Sequence, residues 1–511
     1  MSARGDGPGG NRRRGRPGAA ARGDLLALGA GAILPLAFAP IDWFPVTFLS
    51  LAGLFLLWRE VGPRRALWRG WLFGVGMFGV GASWVFVSIH RYGNASVVLA
   101  ALLTALFVVL LAGFPAVAGG LARRFGTGTV GLALGFPAWW MLIEWLREWF
   151  LTGFPWLSVG YSQLDAPLGA LAPVAGVYGV GAAAALTAGC TAAALTAPGR
   201  RRVLPMLVIV ALWGASWGLG WVTWTRPVGA PLPVSLVQGN VPQDLKWRPD
   251  RLDSILERYA GLTARHWDSR LIVWPETAVP AFYHQVRAAF LAPLAAQARR
   301  HDTTLLIGVP VLEPVTARYY NAVVRLGAGG PPAFYFKHHL VPFGEYVPLH
   351  AYLDNLLRFL DIPWSDFSAG AAYQPPLKVA GRPIQTSICY EDAFPTEIIR
   401  YLPRAQLLIN VSDDAWFGDS LAPHQQLQMA RMRARETGRY LLSDTNDGIT
   451  AIVGPRGAIL ERAPQFRTRV LSGTVRFMEG ATPYVRWGNL PVVILCALGA
   501  LAAAIPLARR R

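Results

Sequence analysis

Gln385-Thr386-Ser387-Ile388-Cys389-Tyr390-Glu391 places a thiol directly after a short β-type run and ahead of a loop. The chain has three cysteines, and the other two, Cys190 and Cys496, lie in long apolar stretches. A thiol near acids, in polar sequence and without a disulfide partner, is a candidate nucleophile. The competing reading is a buried structural cysteine, because free Cys is among the most buried residue types.

Working outward from this run, residues 230–478 have the pattern of an ordinary globular domain. Strands are expected at 232–239, 271–275, 303–312, 319–327, 333–338, 384–389, 406–411, 440–444, 449–453 and 468–475, and helices at 250–266, 285–300 and 423–438. Strands alternating with helices, followed by short strands, imply a layered α/β domain. A segment of about 250 residues can bury a full core.

Three ionisable groups sit at or just beyond these strand ends. Glu276 follows Leu271-Ile272-Val273-Trp274-Pro275, Lys337 follows Ala333-Phe334-Tyr335-Phe336, and Cys389 follows Ile388. Taken singly, Glu276 reads as a helix-end or surface acid and Lys337 as a solvated strand-edge lysine. Taken together, they supply what acyl transfer through a thiol needs. The attacking species is a thiolate, so the thiol needs a base such as a carboxylate. The developing oxyanion needs a fixed positive donor, which a lysine provides.

The rest of the chain is of a different kind. With 53% hydrophobic residues, 15% charged residues and a mean hydropathy of +0.34, it is too apolar for an ordinary soluble protein. Apolar blocks at 24–40, 43–58, 66–90, 95–121, 128–149, 165–197 and 203–222 precede the globular part, and 490–507 follows it. A spanning helix needs about 20 mostly apolar residues, so eight spans are expected, with the Gly/Ala-rich block 165–197 tilted or broken. Glycines at 70, 74, 76, 79 and 81 suit close helix packing.

Basic clusters at Arg12-Arg13-Arg14, Arg59 with Arg64-Arg65, Arg123-Arg124, Arg200-Arg201-Arg202 and Arg509-Arg510-Arg511 all fall on one side if eight spans alternate. Arg91 and Arg147 are the main exceptions. The positive-inside rule then puts both termini in the cytoplasm and residues 230–478 outside it. These clusters account for much of the +18 net charge without a nucleic-acid partner. Residues 1–23 form a basic tail expected to be disordered, and the first apolar block reads as an uncleaved anchor. Glu144, Arg147 and Glu148 fall at the outer end of one span and read as interfacial.

At its three ionisable strand ends the chain resembles the nitrilase superfamily, whose Glu-Lys-Cys triad is matched by Trp274-Pro275-Glu276, Lys337 and Cys389-Tyr390-Glu391. Longer motifs narrow the likeness. They are Gln238-Gly239-Asn240-Val241-Pro242-Gln243 with Lys246-Trp247, the run from Lys337-His338-His339 to Pro342-Phe343-Gly344-Glu345-Tyr346-Val347-Pro348, and Asp414-Ala415-Trp416-Phe417-Gly418-Asp419. Gly153-Phe154-Pro155-Trp156, Gly160-Tyr161-Ser162-Gln163 and Thr482-Pro483-Tyr484 with Arg486 and Gly488-Asn489 extend it. These motifs resemble the membrane branch of apolipoprotein N-acyltransferases, over nearly the whole chain from about residue 24.

The resemblance implies an eight-span helical membrane protein carrying an extracytoplasmic α-β-β-α sandwich of nitrilase type, in the inner membrane and monomeric. Cys389 would carry the acyl chain, Glu276 would act as base, and Lys337 would hold the oxyanion. Glu345 would help position the site, Tyr390 and Glu391 would support the nucleophile, and Trp247 and Trp416 would lie near the acyl-chain entrance. For both tryptophans, burial or membrane anchoring is the alternative. The donor would be a phospholipid, the acceptor the α-amine of a diacylglyceryl-cysteine lipoprotein, and no metal or cofactor is called for. Two acids depart from the family's pattern: Asp413, usually asparagine, and Asp447, commonly neutral. They are expected to alter local hydrogen bonding without touching the triad.

Two rival functions use the same sequence differently. A membrane-tethered amidase would use water as acceptor, and a transporter or scaffold would leave the outer domain inert. Sparse intramembrane charge argues against a transporter.

Overall fold

The computed structural model describes residues 17–347 and 367–508. Pro348 and the basic clusters at 12–14 and 509–511 lie outside the described residues. Residues 17–23, expected to belong to a disordered tail, open the helix Pro17–Ile33 instead.

Among the described residues there are thirteen strands, eleven of them in two main sheets. The first comprises β1 (Thr225–Gln238), β2 (Leu271–Val273), β3 (Thr304–Glu313), β4 (Arg318–Gly327), β5 (Ala333–Phe336) and β13 (Arg469–Gly480), in the order β13-β1-β2-β3-β4-β5. The second comprises β8 (Gln385–Ile388), β9 (Leu408–Ser412), β10 (Leu441–Thr445), β11 (Ala451–Val453) and β12 (Ile459–Arg462), in the order β12-β11-β10-β9-β8. A small hairpin, β6 (Lys378–Val379) with β7 (Arg382–Pro383), precedes β8.

Alternation along the strands decides the layers. Leu271 and Val273 of β2 face a core shared with Leu236, Leu306, Val323, Ile388, Ile409, Val411, Leu442 and Ile452, so the two sheets pack face to face. Ile272, between them, points the other way, onto Tyr259 of helix Leu252–Thr263 and Leu294 of helix Ala292–Arg300. The outer face of the second sheet, with Leu408, Leu441 and Val453, packs on Leu427, Ala430 and Ala434 of helix Leu421–Thr437. The result is four layers: helices, sheet, sheet, helix. β1 and β13 pair antiparallel from Thr225↔Gly480 to Gln238↔Arg469, with a bulge between Val228 and Leu232. That pairing brings the chain in from Gly199–Leu219 and sends it back toward Leu490–Ala508 at the same end of the sheet.

Among the described residues, five helices are long and apolar enough to cross a membrane: Ala20–Ala37, Val97–Phe125, Gly128–Thr152, Pro167–Thr196 and Gly199–Leu219. The pair Pro63–Gly81 and Val85–Tyr92, bent by 59°, makes six if it is one span. Pro45–Arg59 and Leu490–Ile505 are apolar but shorter. All eight expected blocks are therefore helical, but at ~1.5 Å per residue the two short helices fall below the ~30 Å hydrocarbon thickness. By length and apolarity alone, five or six of the helices among the described residues qualify as spans. Gly70 and Gly76 are closed against neighbouring backbone, whereas Gly79 has no atom nearer than 3.9 Å to an added Cβ, so only part of the glycine pattern serves packing.

The block 165–197 is broken, as expected. Gly176 has φ +65° inside the helix Ala172–Thr196, and the Val177 N–H donates at 2.6 Å to Oε1 of Glu436. Arg433 donates to the Tyr161 hydroxyl at 3.1 Å and to Glu436 at 3.2 Å, and Thr482 donates to the Glu436 carbonyl at 2.7 Å. Glu144, Arg147 and Glu148 are corrected here: all three are buried rather than interfacial. Glu144 accepts from the Val159 N–H and the Trp140 indole. Arg147 donates to the carbonyls of Phe154 and Trp156. Glu148 accepts from Thr396 and Asn489. The seam between the apolar helices and the sheets is thus polar and internally paired. Glu436→Ala leaves Arg433 and the Val177 N–H without their shared acceptor. A loss of about 3–5 kcal/mol is expected, measured as a lower Tm of the detergent-purified protein, and an unchanged Tm would remove Glu436 from the seam.

Candidate active site

Glu276 lies three residues beyond the end of β2 and is 7% exposed. Its Oε1 accepts from Asn321 Nδ2 at 2.6 Å and from Lys337 Nζ at 3.3 Å, and its Oε2 accepts from the Asp413 main-chain N–H at 3.0 Å. Lys337 leaves β5 in register with β4: Phe336 pairs with Ala322, and the Lys337 N–H donates to the Asn321 carbonyl at 2.8 Å. The lysine is 1% exposed, and its Nζ also donates to Glu345 Oε1 at 2.8 Å. Glu345 accepts in turn from Asn321 at 3.1 Å and from the Val341 N–H at 2.8 Å. One ammonium therefore stands between two carboxylates, with Asn321 bridging both.

Asn321 was not among the residues expected here. Its signal was present: an amide in Tyr319-Tyr320-Asn321-Ala322-Val323, a stretch of strand otherwise made of aromatic, β-branched and small residues, where Asn is normally depleted.

Cys389 follows β8 and takes φ +52°, the left-handed region that a residue with a Cβ enters at a cost of about 1–2 kcal/mol. The backbone turns sharply there into the 3₁₀ segment Cys389–Ala393. Asn410 Nδ2, on the paired strand β9, holds the Cys389 carbonyl at 3.2 Å, and Gln426 Nε2 lies 3.9 Å from Sγ. Burial pushes the thiol well above its ordinary range, Glu276 adds to this, and Lys337 opposes it. The resting thiol is therefore protonated and needs a base. Burial also raises the Glu276 carboxyl, against the pull of Lys337 and with the help of Glu345 and Asp413. For Lys337, burial alone would lower the ammonium, but Glu276 and Glu345 outweigh it and keep it charged. Such a set can take a proton from a thiol and hold a developing oxyanion.

Glu391 ties the two halves of the site together. Its Oε1 accepts from the N–H groups of His338 and His339 at 2.7 and 3.1 Å, just after Lys337. Its Oε2 accepts from the Ile388 N–H at 2.7 Å, just before Cys389, and from the Tyr335 hydroxyl at 2.9 Å. Burial still pushes its carboxyl up to about 7. Tyr390 donates to the Gly153 carbonyl at 2.9 Å and stacks on Trp156, linking the cysteine turn to the membrane part.

Trp247 and Trp416 are 49% and 42% exposed, which removes simple burial as their explanation. Trp416 meets the Tyr92 ring at 5.8 Å, and its carbonyl accepts from Ser88 at 2.9 Å. Asp413 is a correction, because its main-chain N–H bonds directly to Glu276. Among the described residues, no hydrogen bond joins Asp447 to Glu276, Lys337 or Cys389. Glu391→Gln turns one of the two carboxylate oxygens, and with it two of the four filled acceptor positions, into a donor facing donors. A loss of about 1–3 kcal/mol is expected, read as a lower Tm, and an unchanged Tm would mean that the clamp contributes nothing.

Residues 30–190 match the family model described as the apolipoprotein N-acyltransferase N-terminal domain, and residues 218–482 match the carbon-nitrogen hydrolase model. The chain is 51% identical over 475 residues to the apolipoprotein N-acyltransferase of Methylococcus capsulatus, covering 93% of this chain and 94% of that one. It is 46% identical over 473 residues to that of Coxiella burnetii, with coverages of 92% and 97%. The protein of the same description from Azotobacter vinelandii is 46% identical over 504 residues, with coverages of 96% and 95%. Likeness of this degree, end to end and across both matched models, means that the chain belongs to the apolipoprotein N-acyltransferase family.

Proposed function

We propose that this acyltransferase, acting in lipoprotein N-acylation, works through a thioester on Cys389. Glu276 takes the thiol proton, and the thiolate attacks the sn-1 ester carbonyl of a phospholipid, with phosphatidylethanolamine the expected donor. Lys337 holds the oxyanion. As it collapses, the C–O bond breaks, and the lysophospholipid leaves with the proton from Glu276. The α-amine of a diacylglyceryl-cysteine then attacks the thioester and gives a proton to Glu276. The C–S bond breaks, the thiolate regains a proton, and the N-acylated lipoprotein departs. This is ping-pong logic. The observation that carries the reading is the buried Glu276–Lys337–Glu345 cluster, acting electrostatically on a thiol held on a left-handed turn.

Glu345 and Asn321 orient the lysine, Glu391 and Tyr390 brace the turn, and Trp247 and Trp416 flank the acyl entrance. The same proposal includes eight spans, a seven-span part at 24–222, a catalytic domain at 230–478 outside the cytoplasm and a last span at 490–507. It places the chain in the inner membrane as a monomer with both termini cytoplasmic. Both substrates carry lipid anchors, so the site has to open at bilayer height.

Mass spectrometry of the purified protein mixed with phosphatidylethanolamine is expected to show a fatty-acyl adduct on Cys389. The adduct should disappear in Cys389→Ala and be discharged by a diacylated lipopeptide. Fatty-acid release without lipopeptide acylation would favour a hydrolase instead, and no adduct on Cys389 would end the thioester reading. Because the base must be ionised and burial raises its carboxyl, the rate of adduct formation should fall as pH drops through a value above the ordinary Glu range of about 4.3. A limb at or below that range would exclude Glu276 as the base.

A further inference from the structure

Lys246 and Asp413 form an ion pair that the acyl-transfer steps leave unused. Lys246 Nζ lies 2.5 Å from Asp413 Oδ2, and both side chains are almost wholly buried. Each partner also reaches Glu276 by a different route. Lys246 Nζ donates to the Glu276 main-chain carbonyl at 3.2 Å, and the Asp413 N–H donates to the Glu276 carboxylate at 3.0 Å. Asp413 Oδ1 accepts from Asn446 Nδ2 at 3.1 Å and from the Ala415 N–H at 3.4 Å. Asn446 is itself clamped to both main-chain groups of Val241. Segments following β1, β2, β9 and β10 are thus tied together around one carboxylate.

We infer that Lys246 and Asp413 are positioning residues for the base: together they fix where the Glu276 carboxylate points and balance the negative charge that Asp413 places beside it. This rests on the reading of Glu276 as base to Cys389. A buried carboxylate would be costly without its ammonium, and a carboxylate alone in that place would favour the protonated, inactive form of Glu276. The other charged or titratable groups facing Glu276 are Lys337 after β5, Glu345 in the loop beyond it and the Cys389 thiol after β8. Asp414, beside Asp413, also feels Glu276, and Asp447 faces both Asp413 and Lys246. All of these stay in place in the variants below.

The two partners should therefore shift the acidic limb of activity in opposite directions. The readout is the single-turnover rate of acyl-adduct formation on Cys389 as a function of pH, with phosphatidylethanolamine in detergent micelles. Lys246→Met leaves Asp413 unbalanced and should move the limb up by about one pH unit, a tenfold loss on that limb. Asp413→Asn keeps the main-chain donor and removes the charge, so the limb should move down. Lys246→Arg keeps the charge and should leave the limb near its original place. The double variant Lys246→Met/Asp413→Asn should return toward the unaltered profile. A purely structural pair would slow the reaction in both single variants without opposite shifts. Shifts of the same sign, or an unmoved limb in Asp413→Asn, would overturn the inference while leaving the Cys389 adduct intact. Absence of the adduct in the unaltered protein would overturn the thioester reading, and this role with it. Asp413→Asn and Lys246→Arg decide the matter independently of how well Lys246→Met folds.

Discussion

A lysine ammonium withdrawn from water is the constraint around which this site is organised. Taking such a group into a protein interior costs several kcal/mol unless charge and hydrogen bonds replace its hydration. Lys337 finds them in two carboxylates, at 2.8 and 3.3 Å. Meeting that need fixes much else. β4 and β5 must hold Asn321 opposite Lys337, β2 must end where Glu276 can turn inward, and the loop carrying Glu345 must fold back over the lysine. Two acids around one ammonium leave an excess of negative charge. The amide of Asn321 and the Asp413 N–H answer it on the carboxylate side.

The thiol comes from the other sheet, so the face-to-face packing of the two sheets builds the site. Ile388 sits in the shared core one residue before Cys389, and the left-handed turn at Cys389 carries the chain out of that core. Glu391 keeps this turn aligned with the Lys337 loop, because the N–H groups after Lys337 bind one of its carboxylate oxygens and the Ile388 N–H binds the other. The cluster adds little net stability, since buried ion pairs seldom outperform apolar packing.

The helix Leu421–Thr437 connects this chemistry to the membrane part. Gln426 reaches toward the thiol, while its neighbour Gln425 accepts from the indoles of Trp84 and Trp156 at 3.2 and 2.8 Å and donates to the Gly81 carbonyl. Further along, Gln428 bonds Asp42, and Arg433 with Glu436 closes the break at Gly176. One face of this helix packs on the second sheet and another on the apolar helices. The position of the Cys389 thiol is therefore set by the membrane part as well as by the sheets.

Much of this was legible in the sequence, because strand-forming runs and apolar blocks are local patterns. The short runs ending at Glu276, Lys337 and Cys389 announced three strand ends, and the Gly-rich block 165–197 announced its own break. What the chain could not show locally was distance. Asn321, Gln426 and the Lys246–Asp413 pair act on groups between 16 and 167 residues away, brought close only by register and sheet packing. Glu144, Arg147 and Glu148 looked interfacial by composition, but the fold brings Thr396 and Asn489 to Glu148 from distant segments and turns the chain after the helix back onto Glu144 and Arg147. The number of spans, too, turns on a bend of 59° and on two short helices. Sequence by itself determined the kinds of element and which ionisable side chains stand at strand ends, because hydropathy and periodicity are properties of neighbours along the chain. Tertiary structure alone decided which charges meet, because electrostatic pairing depends on separation in space.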